Sequence, residues 1–103
     1  MEQFELIRQW AEQRGLYEKG DAKTQFVKLQ EESGELAQAI LKKDKELFID
    51  SIGDLVVVLT NIAELGNQYF ECRDITIEKC LLSAWQEIKD RKGKMDNGTF
   101  KKN

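Results

Sequence analysis

Histidine and proline are absent from this sequence of 103 residues, and cysteine occurs only twice. No apolar run approaches the ~18–20 residues of a membrane-spanning helix. Each absence removes a class of chemistry. Without histidine there is no imidazole general base, no Ser-His-Asp triad and almost no zinc chemistry. Any catalysis must rest on carboxylates, lysines or a hard metal ion. Without proline the chain suits long, uninterrupted helices. The charged, amphipathic N-terminus lacks the apolar stretch of a signal peptide, so a cytoplasmic location without membrane attachment is expected. In that setting Cys72 and Cys80 are expected to be two free thiols.

What is present is charge. Charged residues make up 34% of the chain and hydrophobic ones 41%, the mix of a single globular domain over residues 1–103. From Glu31 to Glu71 there are nine acids against three lysines; from Cys72 onward, eight bases against five acids. An acidic middle followed by a basic tail fits a metal–phosphate site. It argues against a nucleic-acid-binding surface, which would be basic throughout.

The apolar spacing predicts four helices. The first covers residues 2–14, with Phe4, Ile7 and Ala11 on one face and Gly15 as its stop. A connector over residues 16–20 leads to Asp21, placed to cap a second helix over 22–42. Asp44 is placed to cap a third over 45–65, apolar nearly all round, hence central and most buried, and ended by Gly66. The fourth is predicted over 75–92, capped by Asp74, with Ile77, Leu81, Ala84, Trp85 and Ile88 on one face. In the tail, Asn97-Gly98 between Met95 and Phe100 predicts either a short hairpin or a frayed end. The fold class is therefore all-α.

Helical geometry then groups the acids. Residues three or four apart share a face, which joins Glu32 with Glu35 and Glu31 with Glu35. It also joins Asp50 with Asp54, and Asn61 follows seven residues later on nearly the same line. Asp54 sits amid Ile52-Gly53 and Leu55-Val56-Val57-Val58, so burial is expected there. A buried carboxylate without a cationic partner is very costly, and a divalent ion bound through oxygens would relieve it. Gly34 and Gly53, each beside an acid, cost about 1 kcal/mol of helix propensity apiece, which points to close helix approach or room for a ligand.

These residues carry a resemblance. Glu31-Glu32-Ser33-Gly34-Glu35-Leu36-Ala37-Gln38-Ala39-Ile40, Asp50-Ser51-Ile52-Gly53-Asp54-Leu55 and Asn61 resemble the MazG-like, all-α nucleoside triphosphate pyrophosphohydrolases. The similarity is close over residues 25–65. It is looser through Ala84-Trp85-Gln86-Glu87-Ile88-Lys89-Asp90-Arg91-Lys92-Gly93, which looks like the closing segment of short, phage-type members.

The resemblance implies the MazG-like four-helix fold, with the bundle completed across subunits of a homodimer or homotetramer. It implies Mg²⁺ as cofactor, with Glu32, Glu35 and Asp54 as ligands. Where the family has a further acid stands Ser51, and Asp50 is the expected replacement. Asn61 matches a position lining the pocket. The implied reaction is hydrolysis of a nucleoside triphosphate, a dNTP or a non-canonical NTP, to monophosphate and pyrophosphate, as in nucleotide-pool housekeeping. Glu31 or Glu32 is the expected base, and Lys89 and Arg91 are the expected holders of the outer phosphates. The alternative is a catalytically weak or inactive nucleotide-binding module of the same fold. Trp10, Phe26, Tyr69 and Trp85 are expected in the core or at a subunit interface rather than against a nucleobase.

Overall fold

A computed structural model describes residues 2–103. In chain order it has α1 (Glu2–Gln13), the one-turn α2 (Leu16–Lys19), α3 (Ala22–Lys42), α4 (Lys45–Tyr69), α5 (Ile77–Ile88), β1 (Gly93–Asp96) and β2 (Thr99–Lys102). The all-α reading holds, with a small antiparallel hairpin added at the end.

Local chemistry sets most of the boundaries. Asp21 accepts a hydrogen bond from the Thr24 backbone N–H at 2.8 Å and starts α3. Lys43, in the left-handed conformation at φ 54°, closes α3 by donating its backbone N–H to the last turn. Asp44 then accepts from the Leu47 backbone N–H at 3.1 Å and opens α4. With only these two residues between them, α3 and α4 fold back on each other as a helical hairpin, the main packed unit of the chain. The α1 and α2 helices lie against α4.

Three predicted boundaries move, and the predicted connector over residues 16–20 forms the one-turn α2. The third predicted helix does not stop at Gly66 but runs on to Tyr69. Gly66 instead permits a close approach: a Cβ there would meet Ile75 Cδ1 at 3.4 Å. The last helix is capped by Thr76, which accepts from the Lys79 backbone N–H at 3.1 Å, and not by Asp74, whose carboxylate pairs with the Lys79 ammonium. It ends at Ile88, four residues short of the predicted end. Past it, the hairpin forms. Asn97 and Gly98 both take positive φ, 51° and 82°, as a tight two-residue turn between twisted strands requires, and Met95 pairs with Phe100.

The core is thin. Ala11, Ala39, Val58, Ala63 and Leu65 are its buried apolar members, accompanied by the buried polar side chains of Glu32, Ser51, Thr60 and Asn61. Most of the buried residues lie on α4, as expected, but in its second half. In the first half Phe48, Ile49 and Ile52 are 42–54% exposed. Trp10, Phe26, Tyr69 and Trp85 are likewise exposed, so none belongs to the protomer core. Both cysteines are free, as expected.

Candidate metal and substrate site

The helical hairpin brings three carboxylates together. One oxygen each from Glu32 and Glu35 on α3 and Asp54 on α4 all lie within 4.8 Å of one another. That spacing suits oxygen atoms shared around a hard cation, whose bonds to oxygen are ~2.0–2.6 Å. Burial within the triad is the reverse of expectation. Asp54 is exposed on the open side of α4, and Glu32 is the buried member at 7% exposure.

Glu32 is also incompletely satisfied. Its Oε1 stands 3.4 Å from the Lys28 ammonium, one helical turn back, while its buried Oε2 has no hydrogen-bond partner. A buried carboxylate oxygen left unpaired is costly, and a cation between the three side chains would remove that cost. Charge crowding is visible at Glu35. The Glu32 charge, followed by partial desolvation and then the nearby Asp54, holds its carboxyl above the usual range. The donor set, three carboxylates with no sulfur or nitrogen, fits Mg²⁺ or a similar hard ion.

Gly34 and Gly53 flank this triad with open space, for a Cβ built at either meets nothing within 4 Å. Of the two readings offered by their positions, the structure supports room over close helix packing.

The remaining sequence candidates are placed differently. Glu31 and Asp50 are exposed and lie outside the converging triad. Asp50 faces a cleft of about 680 Å³ between α1 and α4, which Asp54 shares with Gln3, Ile7 and Val57. Ser51 is fully buried, and its hydroxyl has no partner. Asn61 is buried too; its side-chain Oδ1 accepts a hydrogen bond from the Tyr17 hydroxyl at 2.6 Å. Burial, reinforced by the charge of Glu64, pushes the Tyr17 hydroxyl up to about 12, so it remains a donor at neutral pH. Lys89 and Arg91 lie at and beyond the end of α5, both exposed, with Arg91 paired to Glu87 at 2.9 Å.

Some features were not anticipated from the sequence. A second cleft, of about 430 Å³, is lined by Leu6, Ile7, Trp10, Asp54 and Val57, so an apolar wall adjoins the acidic triad. The Arg14 guanidinium sits 4.5 Å from the centroid of the Trp10 ring and steadies it. Arg8 ties α1, which supplies three residues of this wall, to the last helix. It donates to both Glu78 oxygens at 2.7 Å and to Glu5 at 2.9 Å, joining α1 to α5. The Lys28–Glu32 pair had a sequence signal in its spacing of four; the Arg8–Glu78 pair, 70 residues apart, had none.

An all-α chain with a convergent carboxylate triad beside an open cleft has side chains that could hold a hard cation next to a ligand. The comparison with known families is specific: the MazG nucleotide pyrophosphohydrolase domain matches residues 21–95. The chain therefore belongs to the MazG nucleotide pyrophosphohydrolase family. It is also 45% identical over 58 residues to an uncharacterized 18.2 kDa protein from the rep-hol intergenic region of Haemophilus phage HP1. That match covers 56% of this chain and 36% of the phage protein, so the chain spans only about a third of its relative. No solved structure matches. No helix among the described residues is long and apolar enough to cross a membrane.

Proposed function

We propose that this protein hydrolyses nucleoside triphosphates, dNTPs or non-canonical NTPs, to nucleoside monophosphate and pyrophosphate with Mg²⁺, as a nucleotide-pool housekeeping enzyme of the cell interior. The observation that carries this reading is Glu32: a buried carboxylate with an unpartnered oxygen, held against Glu35 and Asp54 in a chain of this family.

In this reading Glu32, Glu35 and Asp54 hold the ion, and Asp50 joins them only if the first half of α4 shifts toward α3. The bound ion supplies charge neutralisation and polarisation of phosphorus, without which an acidic site would repel a triphosphate. The chain supplies the rest. A carboxylate at Glu31 or Glu32 takes a proton from water as the water oxygen attacks the α-phosphorus. The bond from the α-phosphorus to its bridging oxygen breaks, and pyrophosphate leaves. Leu6, Ile7, Trp10 and Val57 offer the nucleoside an apolar wall beside Asp54. Asn61, through Tyr17, ties α2 to α4. Self-association into a dimer or tetramer would cover Phe48, Ile49 and Ile52, exposed beside the site.

The test is pyrophosphate release from a panel of canonical and modified triphosphates with Mg²⁺. Activity that disappears in Glu35→Gln and in Asp54→Asn, with helicity unchanged by circular dichroism, supports the assignment. Activity that survives both changes sinks it. Wild-type protein that binds triphosphate without releasing pyrophosphate would instead favour the non-catalytic module, in keeping with a buried serine at position 51.

A further inference from the structure

Three convergent carboxylates could hold one divalent ion or bridge a pair, since paired catalytic ions sit only ~3.5–4 Å apart. The atoms around the triad decide between the two. Glu32 has one oxygen engaged already: Oε1 lies 3.4 Å from the Lys28 ammonium, and only Oε2, buried and without a partner, is uncommitted. A carboxylate committed in this way can ligate one ion but cannot bridge two. Charge leads to the same count. One divalent ion, the three carboxylates and the Lys28 ammonium balance to zero. A second ion would leave two positive charges uncompensated beside the buried Glu32 side chain.

The positions that could supply a fourth carboxylate do not. Ser51 stands one helical turn before Asp54, fully buried, with its hydroxyl unpartnered. Because α3 and α4 fold back on each other, one turn along α4 toward the connecting residues matches one turn along α3 from Glu32 to Glu35. Ala39 and Phe48 share a small pocket one further turn along, which fixes that register. Ser51 therefore lies at the level of Glu35. An acid there would complete a second set of oxygens, whereas a serine hydroxyl is shorter and brings no charge to offset a second ion. Asp50 shares the cleft between α1 and α4 with Asp54 but does not converge with the triad.

We infer that the free protein holds a single divalent ion at this centre, that Ser51 limits it to one, and that any further ion arrives with the triphosphate. The inference rests on the metal-dependent reading given above. The count matters for the chemistry, because a lone ion spent on the phosphates leaves the proton of the attacking water to a side chain.

Manganese(II) is the probe, because the paramagnetic resonance signal of its free aqueous ion disappears on binding. Chelator-treated protein without nucleotide should take up one tight equivalent per chain. Asp50→Asn should leave that equivalent in place, its affinity changed less than about threefold. Glu35→Gln should weaken it about a hundredfold or more, since even outer supporting groups are worth ~10–100-fold. Two tight equivalents in wild type, or loss of the equivalent in Asp50→Asn, overturns the inference and leaves the hydrolytic reading standing. No binding at all overturns both. One tight equivalent in a protein that releases no pyrophosphate supports the count and defeats the proposed hydrolysis.

The role of Ser51 is read separately. Ser51→Glu, with helicity unchanged by circular dichroism, should take up a second equivalent, and the two spins ~4 Å apart should broaden each other's signal. Ser51→Asp, shorter by one methylene, carries the same expectation where the longer side chain does not fit. Ser51→Ala should keep the count at one with unaltered affinity, since the hydroxyl is not a ligand. A folded acidic variant that still binds one ion, or a Ser51→Ala variant that binds none, overturns the part assigned to Ser51.

Discussion

The second half of α4 buries Val58, Thr60, Asn61, Ala63, Leu65 and Gly66, whereas α5, of twelve residues, buries none. Both segments are rich in large aliphatic residues, Val57, Val58, Leu59, Ile62 and Leu65 in the one and Ile77, Leu81, Leu82 and Ile88 in the other. What separates them is coverage. α4 packs against α1, α2 and α3, and most of its buried residues fall in its second half. α5 meets α4 only near its own start, where the Asn67 side chain accepts from the Ile75 N–H at 2.8 Å and donates to the Ile75 carbonyl at 2.9 Å. Apolar content therefore measures how much surface a helix needs to hide, and not whether its own chain hides it. In a chain this small, much apolar surface stays exposed, on the first half of α4 and on α5 among other places.

The comparison breaks most directly in the core. Leu65 is 2% exposed and Leu82 57%. Leu65→Ala should cost about 2–5 kcal/mol in urea unfolding, the usual range for a buried leucine with its cavity. At low concentration, where copies are apart, Leu82→Ala should cost within about 0.5 kcal/mol. If a second copy covers α5, Leu82→Ala should begin to lower stability only at high concentration. Equal costs at all concentrations would erase the distinction between the two segments.

Next in size is the triad. If Glu35 is a metal ligand as proposed, Glu35→Gln should lower pyrophosphate release by about a hundredfold or more, given that even outer supporting groups are worth ~10–100-fold. Without divalent ion, the same substitution should leave the melting temperature equal to or above that of wild type. The reason is that Glu32 and Asp54 hold the Glu35 carboxyl above its usual range, so its charge opposes folding when no cation is present. Adding Mg²⁺ should stabilise wild type and not the variant. A variant less stable than wild type in the absence of metal would show that the cluster is not under electrostatic tension.

Much of this architecture was legible from the sequence, and the reasons are local. Asp21 and Asp44 act through hydrogen bonds that span three residues, so they cap where spacing predicts. Glu32 and Glu35 share a face by helical geometry alone. Asp54 was correctly placed beside them, but its burial was misjudged because the apolar run around it does not say whether a neighbour exists to cover it. Gly66 looked like a stop because stopping is what an isolated helix does at glycine. Its actual use, a close approach by Ile75, depends on a return of the chain held by Asn67. The cap of α5 moved from Asp74 to Thr76 for the same reason: the chain before it is tied to α4. Pairings across long sequence distances, such as Arg8 with Glu78, leave no periodic trace.

A smaller effect tests the caps themselves. Asp44→Ala should cost about 1 kcal/mol, the value of a typical N-cap, because it loosens the turn that holds α3 against α4. Thr76→Ala should cost a similar amount of α5 helicity. In the isolated protomer, though, it should change global unfolding little, since α5 supports almost none of the core. Hydrogen exchange distinguishes them: the first should speed exchange across the α3–α4 hairpin, the second only over residues 77–88.

The smallest effect lies at the joint between the two regions. Arg8 holds the Glu78 carboxyl at about 2, against an ordinary value of 4.5, chiefly through its paired hydrogen bonds. A carboxyl with a lowered folded-state pKa binds its proton more weakly when folded, so the unfolded chain takes up protons first as pH falls. The stability from this pair is therefore fully present above about pH 4.5. It should decline as pH drops through that value and be gone near pH 2. Glu78 is partly open to solvent, so the change should be modest. Glu78→Gln should flatten this part of the pH–stability curve and speed exchange at the start of α5, with the acidic triad unaffected. An unchanged slope between pH 4.5 and 2 would mean that Arg8 does not anchor α5. Its attachment to the core would then rest on Asn67 and the apolar contact of Ile75 with Gly66 alone.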